Sequence, residues 1–192
     1  MFQVFLIRAG QTEFERQGRV QGTLDIPLCE DGRRTVATMV DELSTKPITA
    51  VYACPGQAAE QTADALSASL GLKTKTIDQL RNLDFGLWQG MLISDVKTKQ
   101  PKVYRQLQDQ PETVCPPQGE TIGAARQRAQ AVIAKLVKKH KSEALVAVIV
   151  PEPMMSIFRQ LLRSDDLGDL WQNGEGAAPW EQFEVPEEAA AK

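Results

Sequence analysis

The sequence predicts an α/β fold: a three-layer α/β/α sandwich with a mostly parallel sheet and an irregular helical insertion. Apolar segments over 2–7, 48–53 and 144–150 have the continuous character of strands covered on both faces. Segments with apolar residues at helical spacing lie between them. Because strands alternate with long crossover helices, a doubly wound parallel sheet is the arrangement that short, right-handed connections favour.

The first half of the chain supplies two strands, two helices and a short third strand. The first strand ends at Arg8, and the polar, glycine-containing segment 13–22 is interpreted as a loop. A helix begins near Asp31-Gly32 and ends before Pro47, where the second strand starts. The second helix has Gly71 as its predicted C-terminal cap, and residues 72–77 form a shorter strand.

The second half begins with residues 80–118, in which prolines break short helical patches. We interpret this segment as an insertion that lies across the pocket edge of the sheet. A long helix over 119–140 precedes the strand 144–150, and Pro151-Glu152-Pro153 turns that strand into another helix. We expect an α/β domain over 1–163. A C-terminal extension over 164–192 follows it, with a last strand at 180–185 and a frayed acidic tail.

Composition excludes several classes of function. A chain of 192 residues with a formal net charge of −3 has no basic field for nucleic acid or an anionic membrane. We expect no secretory signal, because no long apolar region follows a basic stretch near residue 1, and no membrane helix, because no apolar run approaches membrane-spanning length. Three widely spaced cysteines indicate reduced thiols and a cytoplasmic location. With a single histidine, His140, neither a metal site nor a cofactor is expected.

Four motifs follow one another in a recognisable order. They are Arg8-Ala9-Gly10-Gln11-Thr12, Cys54 to Thr62, Leu80 to Gly90, and the apolar strand followed by Pro151-Glu152-Pro153. Together they resemble the histidine phosphatase superfamily, which is phosphoglycerate-mutase-like, and the resemblance covers about residues 2–163. That family reads Arg-His-Gly-x-Thr at the first motif and Ser-His-Gly at the last. The resemblance implies the same α/β fold and a phosphate pocket.

The family's catalytic positions are largely replaced in this sequence. In the family, a histidine attacks the phosphoryl group, two arginines and a second histidine hold it, and a carboxylate protonates the leaving group. Here the nucleophile position is Ala9, the second arginine is Ala58, the acid is Asn82 and the second histidine falls on Glu152, or alternatively on Pro151. Of five such positions, Arg8 alone keeps its chemistry.

The resemblance leaves a remnant of the phosphate or ligand site. Its predicted members are Arg8, Gly10, Gln11, Thr12, Gln21 and Gly22. Glu152 follows a strand and precedes a helix, so its carboxylate is predicted to pair with Arg8 and plug the pocket; the alternative is a helix-capping glutamate that faces solvent. Cys54 is interpreted as a small buried thiol, because no histidine lies close in sequence to activate it.

These replacements predict a catalytically inert pseudophosphatase with a binding or regulatory role. A methyl group cannot attack phosphorus, and an amide cannot supply a proton at neutral pH. One alternative is a weak or rewired phosphoester hydrolase, and another is a structural or oligomerisation module with a filled pocket. The expected partner is a phosphorylated small molecule or another protein, and the helix surfaces leave room for a homodimer.

Overall fold

The computed structural model describes residues 2–140, 144–163, 167, 170–171 and 178–185. The strands of this part of the chain are β1 (Phe2–Arg8), β2 (Ile48–Ala53), β3 (Thr74–Thr76), β4 (Leu145–Val150) and β5 (Trp180–Val185). Its α-helices are α1 (Glu13–Arg16), α2 (Glu30–Leu43), α3 (Gln57–Leu70), α4 (Ile93–Lys99), α5 (Pro101–Asp109), α6 (Ile122–Lys139) and α7 (Met154–Arg163).

One sheet forms the centre of the described structure, with the strand order β3-β2-β4-β1-β5. β2 pairs in parallel with β3 and β4, and β4 pairs in parallel with β1, whereas β5 runs antiparallel to β1. α2 packs against α3, and α6 packs against α7. The predicted α/β sandwich with a mostly parallel sheet is therefore confirmed.

Burial explains the composition of the two central strands. All six residues of β4 are buried, which is the pattern of a central strand covered on both faces, and β4 lies between β2 and β1. β1 is buried over most of its length and ends in the partly buried Arg8. The carboxyl ends of β1, β2 and β4 lie at one edge of the sheet, which is where ligands bind in open α/β sheets.

The segment 13–22 is not all loop, so that prediction is wrong at its start. α1 begins there because Thr12 and Glu15 form a capping box. The Thr12 backbone N–H donates to Glu15 Oε2 at 2.8 Å, and the Glu15 N–H donates to Thr12 Oγ1 at 3.2 Å. The Thr-x-x-Glu spacing that produces this motif is readable in the sequence.

The insertion at 80–118 is helical and irregular, as predicted, and it braces the loop that precedes α2. Besides α4 and α5 it contains short 3₁₀ turns at Gly86–Trp88 and Pro111–Thr113. The Val20 N–H donates to the Met91 carbonyl at 2.9 Å, and the Gly90 N–H donates to the Val20 carbonyl at 2.7 Å. These bonds tie the insertion to the residues around Gln21.

The C-terminal part of the described chain returns to the sheet. Val4 and Phe183 are register partners, so β5 lies directly beside β1. The division of the chain after residue 163 stays a prediction, and the predicted tail over 187–192 lies outside the described residues. Within the described ranges, no helix has both the length and the apolar character needed to cross a membrane.

Candidate functional site

A cavity of about 480 Å³ opens at the carboxyl edge of the sheet, beside the ends of β2 and β4. It is lined by the loop 21–26, by residues 54–60 between β2 and α3, by Arg81 and Asn82 at the start of the insertion, and by Pro151 after β4. Cavities of this size are typical of sites for small molecules.

Asp25 fastens the loop 21–26 to the first turn of α3. The helix begins after Gly56, whose φ of +121° is a conformation that suits glycine and whose missing side chain offers no cap. Asp25 Oδ1 instead accepts the Gln57 backbone N–H at 2.8 Å, and Oδ2 accepts the Gln57 side-chain amide at 3.1 Å. These two hydrogen bonds, the backbone one first, hold the pKa of the Asp25 carboxyl below its ordinary value.

Asn82 is a structural bridge rather than a free polar group. Its Nδ2 donates to the Gly22 carbonyl at 3.0 Å and to the Glu152 carbonyl at 3.1 Å, while its Oδ1 accepts the Leu83 N–H at 2.9 Å. Both amide protons are therefore used. An ionised carboxylate at this position could not make the two donations, so an amide suits this position.

A buried ion pair supports the segment that carries Arg81 and Asn82. Arg128 Nε and Nη2 donate to the two carboxylate oxygens of Glu120, each at 2.8 Å. The same guanidinium donates to the carbonyls of Gln79 at 2.8 Å, of Arg81 at 2.5 Å and of Asn82 at 3.1 Å. Glu120 also lies 3.5 Å from the Arg81 guanidinium. The cavity wall is thus fixed from behind by charge-assisted bonds.

Glu152 holds the start of α7. Its Oε1 lies 3.2 Å from Arg159 Nη1, and its Oε2 accepts the Ser156 N–H at 3.1 Å and hydroxyl at 2.9 Å. The ion pair found for Glu152 is therefore with Arg159, and the pairing with Arg8 stays a prediction. This is the capping role of the alternative prediction, but from a buried position, since the side chain of Glu152 is only 4% exposed.

Most positions carried over from the family divide between two cavities, while Glu152 lines a third cavity of about 20 Å³ together with Gln21 and Gly22. Gln21, Gly22, Ala58, Asn82 and Pro151 line the larger one. Arg8, Ala9, Gly10 and Gln11 line a second cavity of about 130 Å³, which they share with residues of α2. The structure therefore does not bring the predicted remnant together in one pocket.

Thr12 and Gln21 connect the end of β1 to the larger cavity. The buried Thr12 hydroxyl makes a short hydrogen bond to Gln21 Oε1. Glu15, which completes the Thr12 capping box, has its pKa raised by burial. Thr12 thus holds Gln21 from behind without itself lining the cavity.

Cys54 lines the cavity as a protonated thiol. The residue is 2% exposed, and burial first, followed by the charge of Glu60, raises the pKa of the thiol to about 12. Since the thiolate is the nucleophile, this cysteine is unreactive at neutral pH. The interpretation of Cys54 as a buried structural thiol agrees with this environment.

The ionised residues of the cavity are ones that sequence reasoning did not select. Asp25, Glu60 and Arg81 line it together with the Gln57 amide. Glu60 is half-buried, and its Oε1 accepts the Thr76 hydroxyl at a long 3.4 Å. A signal was available in the motifs, because Glu60 lies two residues after Ala58 and Arg81 directly precedes Asn82.

The fold is that of an open α/β protein with a cavity at the carboxyl edge of its sheet, and comparison with known sequences specifies the family. Residues 4–188 match the histidine phosphatase superfamily (branch 1), so the chain belongs to that superfamily. It is an enzyme superfamily whose named members include phosphatases and phosphoglycerate mutases.

One sequence relative and two solved structures show how far the likeness extends. Phosphoserine phosphatase 1 of Hydrogenobacter thermophilus is 28% identical over 174 residues, which is 91% of this chain and 82% of the relative. Bacillus stearothermophilus YhfR superposes with a TM-score of 0.86 at 21% identity, over 97% of this chain and 92% of that one. A mycobacterial glucosyl-3-phosphoglycerate phosphatase gives a TM-score of 0.82 at 22% identity, over 94% of this chain and 88% of that one.

These comparisons correct the functional prediction. The expectation of a catalytically inert pseudophosphatase, a pseudoenzyme, is wrong: a relative aligned over nine-tenths of the chain is named as a phosphatase. Similar structures also carry phosphatase names. The finding favours the alternative of a phosphoester hydrolase.

Proposed function

We propose that this protein is a phosphoester hydrolase that acts on small phosphomonoesters with a rewired active site. The observation that carries the proposal is the cavity of about 480 Å³, which combines a guanidinium (Arg81) with a half-buried carboxylate (Glu60) at the ligand-binding edge of the sheet. Membership of the histidine phosphatase superfamily and the phosphatase name of the aligned relative support it.

Phosphate recognition in this proposal depends on one cation and neutral donors. Arg81 lines the cavity, and a guanidinium matches the geometry of phosphate oxygens. The side-chain amide of Gln21 also lines it and can donate to phosphate oxygens, whereas the Gln57 amide already donates to Asp25. Because Glu120 and Arg128 fix the backbone around Arg81, this part of the wall is preorganised.

Water is the proposed nucleophile. Ala9 offers no attacking atom, and Cys54 is protonated, since its pKa is raised to about 12. The water oxygen forms a bond to phosphorus while the ester P–O bond breaks, and the water proton passes to the Glu60 carboxylate. The leaving alkoxide takes a proton from solvent at the open mouth, so the products are inorganic phosphate and an alcohol.

Glu60 is assigned as the base because the other carboxylate of the cavity is already committed. Asp25 accepts two hydrogen bonds from Gln57, whereas Glu60 has a single long contact with the Thr76 hydroxyl. A single displacement without a histidine nucleophile gives up covalent catalysis. We therefore expect slow turnover.

The test is phosphate release from p-nitrophenyl phosphate and from small phosphomonoesters by the purified chain. Glu60→Gln and Arg81→Gln are each expected to lower kcat/KM by about 10²–10³-fold, which is the range for removing a base or a positioned cation. Glu184→Gln and Arg34→Gln, both at exposed positions, are the matched controls and are expected to leave it unchanged.

Two results would count against the proposal. Absence of release from every ester tested would reject hydrolysis at this site. Release that survives both the Glu60 and the Arg81 changes would place the activity elsewhere or in a contaminant.

The cellular setting is part of the same proposal. Cys29, Cys54 and Cys115 are free cysteines, and reduced thiols are typical of the cytoplasm, where we place the protein. A phosphorylated small molecule is the partner that the cavity favours. A protein partner and a homodimer stay predictions.

A further inference from the structure

The charges around the cavity point to the kind of phosphomonoester it takes, an inference that rests on the proposed function. Asp25, Glu60 and Arg81 are its ionised lining residues, since Cys54 remains a thiol. Their formal charges sum to −1. Behind the wall, Glu120 pairs with Arg128, so the two charges cancel, and it also lies 3.5 Å from the Arg81 guanidinium. The larger cavity is thus mildly acidic, which is unusual for a site that receives an anion.

The two carboxylates belong to the same end of α3. Asp25 is hydrogen-bonded to the first residue of that helix, Gln57. Glu60 follows Gln57 by three positions, so the side chains of Gln57 and Glu60 lie on the same face of α3, one turn apart. Both carboxylates line the same cavity, so a bound molecule meets their combined charge.

Asp25 retains the capacity to bind a cation. Each of its oxygens accepts one hydrogen bond from Gln57, whereas an ionised carboxylate has about four acceptor positions in all. Its pKa is lowered by the Gln57 hydrogen bonds, so the charge is present at neutral pH. The Gln57 bonds also fix the carboxylate in place at the rim of the cavity.

We propose that the site selects phosphomonoesters that also carry an ammonium group, with Asp25 as the specificity-determining residue. In this arrangement Arg81 receives the phosphate, and the carboxylates of Asp25 and Glu60 attract the ammonium. A phosphomonoester with an additional carboxylate is disfavoured by the same two charges. Because Asp25 is exposed, we expect discrimination on the order of tenfold for each unit of substrate charge.

The test compares three esters with the same two-carbon skeleton: phosphoethanolamine, 2-hydroxyethyl phosphate and phosphoglycolate. The unsubstituted chain is expected to give kcat/KM values that fall in this order. Asp25→Asn keeps an oxygen that can accept the Gln57 N–H but removes the charge. It is expected to narrow the ratio of kcat/KM between the first and third esters about tenfold, and this ratio, not the absolute activity on any one ester, is the quantity compared. Comparing the variant with the unsubstituted protein cancels differences in leaving-group reactivity.

Salt dependence provides a second measurement that needs no variant. Raising ionic strength screens exposed charges, so the preference for phosphoethanolamine is expected to shrink between 20 mM and 500 mM salt. The unfolding midpoint of Asp25→Asn checks that the loop and α3 remain intact.

The outcomes separate this inference from the proposed function. The ammonium preference is overturned if phosphate release depends on Glu60 but the ratio of kcat/KM between phosphoethanolamine and phosphoglycolate changes neither in Asp25→Asn nor with salt. The proposed hydrolase function stands in that case. No release from any of the three esters overturns the hydrolase itself. A ratio of kcat/KM between phosphoethanolamine and phosphoglycolate that falls in Asp25→Asn and at high salt supports both the ammonium preference and the hydrolase function.

Discussion

Replacing Arg128 by methionine is the most severe test of how the cavity wall is held. Arg128 and Glu120 are only 10% and 11% exposed, and the guanidinium also donates to three backbone carbonyls. Methionine fills a similar volume but makes none of these bonds, and it leaves the carboxylate of Glu120 buried without its main partner. Breaking one side of a buried pair costs about 3–5 kcal/mol.

The measurement is urea and thermal unfolding followed by circular dichroism. For a chain of this length, a loss of this size lowers the unfolding midpoint by roughly 10 °C. Arg126→Met is the matched control on the same helix, because the ion pair of Arg126 with Glu112 is exposed and its loss costs less than about 1 kcal/mol. If the two variants lose the same stability, Arg128 does not support the wall in the way described.

Three further predictions concern single residues. Gly71→Ala should lower the free energy of unfolding by about 1 kcal/mol, because φ is +65° at this residue and alanine is strained there. Gly123→Ala, within α6, should raise it by about 0.5 kcal/mol. Equal effects of the two changes in urea titrations would refute this prediction. Iodoacetamide at pH 8 should modify the exposed Cys115 and spare the buried Cys54 until the protein unfolds, as read by mass spectrometry; equal rates would contradict the assigned environments. Burial, and then two neighbouring lysines, lower the pKa of His140 below 6.5. The unfolded chain therefore binds this proton more readily, and stability should fall as pH drops below about 6.5; His140→Gln should flatten that slope in unfolding midpoints.

Much of the fold could be predicted because its signals are local. The predicted strand 48–53 coincides with β2, and the six consecutive apolar residues of β4 are those of a strand covered on both faces. Gly71 caps α3 in the left-handed conformation that its position suggested. The helix predicted from residue 119 begins later, at Ile122, because the Thr121 hydroxyl accepts the Ala124 N–H and caps it.

The site was less predictable because its contacts join distant segments. The motif positions identified which residues had changed, but not that Arg8 and Gln21 line different cavities. Asp25 reaches Gln57 across 32 positions of the chain. Asn82 reaches the carbonyl of Glu152 across 70 positions. Neither contact leaves a periodic pattern, so the amide at position 82 could be interpreted only as a lost acid.

The position of β1 has a consequence for how the chain matures. This strand lies between β4 and β5, and the register pairs Gln3 with both Leu145 and Glu184. During synthesis β1 therefore leaves the ribosome long before either neighbour exists. At about 5–20 residues per second, the delay before β4 follows is on the order of ten seconds. During that time the apolar strand has two unpaired edges and can aggregate. A low expression temperature and available chaperones should therefore favour soluble protein.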